Sequence, residues 1–94
     1  MIDPNDSELA HVTLDRKRTV EERISAIASL GSLNFARAKK TLIEIGERSS
    51  ESPEVLRATG HALARTFHAG VPISEFDMRN LGGPTYEAFC DWQP

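Results

Sequence analysis

The stretch TVEERISAIASLG, Thr19 to Gly31, decides the fold. Thr19 and Glu22 are spaced as a capping box, in which each side chain satisfies the other residue's amide at a helix start. Val20, Ile24, Ile27 and Gly31 then fall on one face, widened by Ala26 and Leu30, while Glu21, Glu22 and Ser25 lie elsewhere. That period belongs to an amphipathic helix with a broad buried side. Gly31 is expected to end it as the left-handed residue that follows many helices. The pattern Arg23-x-x-Ala26-x-x-x-Leu30-Gly31 is echoed by Arg57-x-x-Gly60-x-x-Leu63-Ala64, and the cap candidates Thr19 and Ser52 stand 33 residues apart. A faint period of that length signals stacked helical units, which present surfaces rather than enclose a reaction centre.

Working outward, helix signals dominate and strand signals are nearly absent. Asp6 or Ser7 can cap a first short helix carrying Leu9 and Val12. Asn34 can cap a third, with Phe35, Ala38, Leu42 and Ile45 as its seam and Gly46 either inviting a close neighbour or fraying its end. Pro53 after Ser52 opens a fourth, where Leu56, Gly60, Leu63 and Phe67 form the stripe and Gly70 the stop. Pro72 or Ser74 opens a fifth, where Ser74-x-x-Asp77 resembles a capping box, with Ile73, Phe76 and Leu81 as apolar contacts, and Gly82-Gly83-Pro84 reads as its break. The expected fold is all-α, a short right-handed array of antiparallel hairpins: an N-terminal cap helix in 1–18, two hairpins in 19–81, and an aromatic tail in 82–94.

The chain has 94 residues, 39% hydrophobic and 27% charged, which suits one small globular domain. No run approaches the roughly 18 apolar residues that span a bilayer. The start, MIDPNDSELA, has neither a basic n-region nor an apolar h-region, so no signal peptide is expected. The single cysteine, Cys90, cannot pair within the chain, and a reducing cytoplasm is the expected compartment. The net charge of −3 is uneven, at −4 over 1–15, +4 over 16–65 and −3 over 66–94. Acidic ends suit a cationic protein partner.

The segment RISAIASLG resembles the first helix of HEAT-like repeats of the phycobilisome lyase type, in which an Arg precedes small and aliphatic residues closing on Leu-Gly. LRATGHALAR matches less well, with Gly60 in place of the usual Ala and Leu63-Ala64 in place of Leu-Gly. The resemblance covers roughly residues 19–81 and implies a packing scaffold, or a small-molecule or chromophore-handling helper. By size, charge and its incomplete repeat, the chain also resembles bacterial immunity proteins, which implies a stoichiometric inhibitor of a toxin.

The reactive side chains give little chemistry. His61 and His68 are seven apart on one helix, roughly 10 Å along its axis, too far to share an ion unaided. Arg57 and Arg65 flank His61 and disfavour a second cation there. Cys90 has no base or oxyanion motif beside it. Glu44 and Glu47 interrupt the basic helix of Arg37, Lys39, Lys40 and Arg48, and a pI near 5.5 argues against nucleic acid. The sequence therefore implies no enzyme, metal, cofactor or membrane association. It implies a protein partner, a basic nuclease-type toxin in the specific form, met by Glu44, Glu47, Glu75, Asp77, Glu87 and Asp91 and anchored by Tyr86 and Trp92. Phe89, between those two aromatics, is expected to fold back onto the core.

Overall fold

A computed structural model describes residues 6–33, 36–48 and 51–92. Those residues form α1 (Asp6–Leu14), α2 (Val20–Leu33), α3 (Ala36–Gly46), α4 (Pro53–His68), α5 (Glu75–Arg79) and α6 (Gly83–Asp91), with no strand among them. The starts of α2, α4 and α5 are those the capping residues specify, whereas α1 already includes both Asp6 and Ser7. The Thr19 hydroxyl accepts from the Glu22 amide at 3.1 Å and the Glu22 carboxylate accepts from the Thr19 amide at 3.2 Å. Ser52 Oγ accepts from the Val55 amide and Ser74 Oγ from the Asp77 amide. Gly70, with φ +110°, follows the end of α4 as expected. The Asn34 cap and Phe35 lie outside the described residues.

Helices α1, α2, α4 and α6 lie side by side in that order, and α3 packs behind α1, α2 and α4. The contacts fix the directions. Arg23, early in α2, meets Glu51 just ahead of α4, while Gly31, late in α2, meets Thr66 late in α4, so the two run parallel. Leu56 approaches Gly82 at the start of α6, and Phe67 and His68 meet Phe89 and Trp92 at its end, so α6 runs parallel to both. Ile27, Leu30, Leu42, Ile45, Val55 and Leu63 fill the core between the layers.

Two crossings depend on the absence of a side chain. A Cβ on Gly31 would lie 2.8 Å from the Ala62 Cβ. One on Gly60 would strike the Thr85 carbonyl oxygen and stand 2.8 Å from the Ala88 Cβ. Gly31 thus corrects the expected helix stop: it is buried within α2, which continues to Leu33, because close approach to α4 and not a left-handed turn is what requires it. Gly46 ends α3, and its carbonyl accepts from the Gly82 amide at 2.9 Å and the Thr85 hydroxyl at 3.3 Å. The start of α6 therefore caps the end of α3.

Three further expectations are corrected. The partner of α4 is α6, not the fifth helix, since α5 is a single turn with no buried residue. The Gly-Gly-Pro segment begins a helix instead of ending structure: Gly82 is extended at the N-cap and Pro84 sits in the first turn, where its missing amide costs nothing. The repeat arginines also part company, Arg23 being buried and Arg57 exposed.

Arg23 is buried because it serves a carboxylate. Its Nη2 donates to Glu51 Oε2 at 2.8 Å, with the two side chains 6% and 3% exposed, and its Nε donates to the Thr13 carbonyl at 2.9 Å. Arg48 Nη1 donates to the same Glu51 oxygen at 3.1 Å and to the Leu14 carbonyl at 3.4 Å, and Arg16 approaches within 3.6 Å. One carboxylate and the C-terminal carbonyls of α1 thus absorb the positive charge.

The hydrogen bond from Arg23, with those from Arg48 and the surrounding positive field, holds the Glu51 carboxyl below the usual carboxylate range. Its stabilisation is therefore complete above the ordinary glutamate range and is lost as pH falls through the depressed folded value. Glu51→Gln is expected to destabilise the fold by about 3–5 kcal/mol at neutral pH, the cost of stripping a buried charge of its partner. It should also flatten the acid limb of stability against pH in denaturant titrations. An unchanged acid limb would remove Glu51 from this role. Gly60→Ala is expected to cost at least the ~1–3 kcal/mol of an overpacked core, read by thermal unfolding, because its obstacle is backbone.

Candidate interaction surfaces

The outward sides of the layer carry the chain's exposed chemistry. On α4, Arg57, His61, Arg65 and His68 are all exposed, at i, i+4, i+8 and i+11. On α6, Glu87 and Asp91 are exposed one turn apart, as are Tyr86 and Cys90. The short α5 shares a groove with α6 and a depression with α3, and its Phe76 is 74% exposed. Between α5 and α6 opens a groove of about 430 Å³ lined by Glu75, Met78, Arg79, Leu81, Gly83 and Tyr86. Glu75 and Arg79 face each other loosely across one turn at 3.9 Å, both largely in solvent.

The structure divides the residues expected to bind a partner. Glu75 and Tyr86 line the same groove, and Glu87 and Asp91 stand on the helix that forms one wall of it. Asp77, on the same short helix as Glu75, lines a separate depression with Lys39, Lys40 and Ile43. Glu44 and Glu47 are exposed on and just after α3, and Glu44 is held by Arg48 at 3.7 Å. Trp92 is half-buried, its ring 4.9 Å from that of His68 at an interplanar angle of 32°. Phe89 is partly buried against the core, 5.8 Å from the Phe67 ring, as the fold-back reading expects. The tail aromatics thus split: Phe89 and Trp92 fasten α6 to α4, and Tyr86, 47% exposed, is left outward.

Sequence reasoning placed Phe76 and Phe67 among core contacts, but both are exposed large apolar residues. The signal available for Phe76 was the brevity of its helix, bounded by Ser74 and the Gly82-Gly83 pair, since one turn buries little. Among the described residues, no three of His, Cys, Asp or Glu are grouped as metal ligands, and no helix is long and apolar enough to cross a membrane. The chain matches no family model, no curated protein and no solved structure.

One titration marks the groove wall. The neighbouring Cys90 sulfur, one turn along α6, disfavours ionisation of Tyr86 and raises the phenol above its ordinary range. Cys90→Ala is expected to lower the Tyr86 midpoint toward that of a free tyrosine in an ultraviolet pH titration. An unmoved midpoint would dissociate the two side chains.

Proposed function

We propose that this chain is a non-catalytic protein-binding module whose partner docks along the α5–α6 edge. The observation that carries the reading is the exposure of Phe76 and Tyr86 at 74% and 47% along the two elements that form an unfilled groove. Large exposed rings are costly in water and form the anchors of many interfaces. Glu75 on the groove and Glu87 and Asp91 on α6 add negative charge, which favours a basic partner and would speed its encounter. The parallel run of α2, α4 and α6, with α3 and the short α5 as return segments, supports a HEAT-like array in which α6 begins a third, incomplete unit.

In its specific form the reading is an immunity protein that occludes a basic, nuclease-type toxin domain, with the groove and its flanking acids as the binding face. A second reading, a small-molecule helper, rests on the groove volume, which lies in the range of ligand pockets. Such a ligand would raise the melting temperature with its concentration.

Capture with tagged protein, followed by mass spectrometry, should yield one small basic polypeptide at stoichiometric ratio. Phe76→Ala with Tyr86→Ala is expected to weaken that complex by at least about tenfold while leaving thermal stability near that of the parent chain. Glu87→Lys with Asp91→Lys should slow association and flatten its salt dependence. A captured partner whose affinity ignores both pairs of substitutions would place binding elsewhere and reject the edge.

A further inference from the structure

We infer that the outer face of α4 is a second docking surface, and that the occupant it fits is an acidic segment of a protein. This surface is separate from the α5–α6 edge and does not depend on how that edge is used. Arg57 and Arg65 stand two turns apart on one exposed line with His61 between them and His68 beyond. Among the described residues, neither arginine has a carboxylate partner. Arg65 reaches sideways to donate from Nη2 to Ser32 Oγ on α2 at 3.1 Å, a neutral acceptor that leaves its charge unmatched. The other arginines whose side chains are described, Arg16, Arg18, Arg23, Arg48 and Arg79, each lie within 4.0 Å of a carboxylate. Among the described residues, the face of α4 is thus an exception.

The neighbouring helix keeps this line open. Past its first turn, the exposed positions of α2 are Ser25, Ala28, Ser29 and Ser32, and none of these side chains is long enough to cover α4. The Gly31–Ala62 crossing draws α2 close against α4, so the arginines rise from a shallow floor. Their separation along the axis is roughly 12 Å. Carboxylates two turns apart on a helix, or about four residues apart on an extended strand, match that span.

Protein carboxylates fit better than a phosphate backbone. Glu54 stands one turn ahead of Arg57 on α4, and the whole chain is at −3. A polyanion tracking past both arginines would meet Glu54 and a net negative molecule, whereas a discrete acidic segment can end short of it.

The test is a titration of ¹⁵N-labelled full chain at low ionic strength with three probes: a synthetic helical peptide carrying Glu at i, i+4 and i+8, the same peptide with Lys, and a short DNA duplex. The Glu peptide is expected to shift amides of Arg57 to His68 saturably, and the Lys peptide to leave them unmoved. Arg57→Glu with Arg65→Glu should weaken Glu-peptide binding by at least about tenfold. The control Lys17→Glu with Lys40→Glu, an equal change of net charge at two exposed positions off this face, should retain it. Loss of binding in the control as well would reduce the effect to net charge and overturn the proposal. So would tighter binding of DNA than of peptide, or an absence of shifts on α4. Concentration-dependent shifts on α4 without any probe would assign the face to a second copy and equally reject the acidic segment.

Discussion

The Glu51 carboxylate is the point on which four parts of the chain converge. It precedes α4, receives Arg23 from α2 and Arg48 from beyond α3, and through those arginines holds the last carbonyls of α1. Each of these groups is costly to bury alone. A guanidinium without its carboxylate, or a helix end without donors, would favour water over the fold. Satisfied together, they permit only one arrangement of the C-terminal end of α1 with the N-terminal ends of α2 and α4. The buried pair thus specifies geometry more than it adds net stability, since two well-packed apolar residues could hold the same volume at no greater cost.

From that fixed end the helices must travel side by side, and glycine decides how closely. Gly31 against Ala62 and Gly60 against Ala88 bring α2, α4 and α6 together along their lengths. Close crossings leave no room for long side chains where the helices touch, so Arg57, Arg65, Glu87 and Asp91 stand on the outer faces. The arginine line of α4 and the acids of α6 are consequences of that packing. So is the groove: α5 is too short to cover α6 as α3 covers α4, which leaves Tyr86 and Phe76 toward solvent. Exposed apolar and charged faces arise here where the helices stop short of burying one another.

The all-helical class and the starts of α2, α4 and α5 were legible in the sequence because capping is local. Thr19 with Glu22, Ser52 with Pro53, and Ser74 with Asp77 encode their turns within four residues. What was not legible was tertiary. Glu51 looked like one more polar loop residue between serines, since nothing nearby says that arginines 28 and 3 positions before it will close on it. Gly31 looked like a stop because glycine serves turns and close crossings alike, and only the position of Ala62 separates the two. The Gly82-Gly83-Pro84 break hid a helix start for a related reason: the same residues end one element and begin another. Among the expected binding residues, Glu75, Tyr86, Glu87 and Asp91 belong to the groove or its wall, whereas Trp92 is held by stacking on His68.

The central claim is that the molecule acts by presenting the faces left open at the α5–α6 edge. Hydrogen–deuterium exchange of the free chain and of its complex with a captured partner tests this most directly. The account predicts that protection on binding concentrates in residues 75–91, while the amides around Arg23 and Glu51, already slow in the free chain, hardly change. Protection centred instead on α1 and α2, with residues 75–91 exchanging as freely as before, would contradict it.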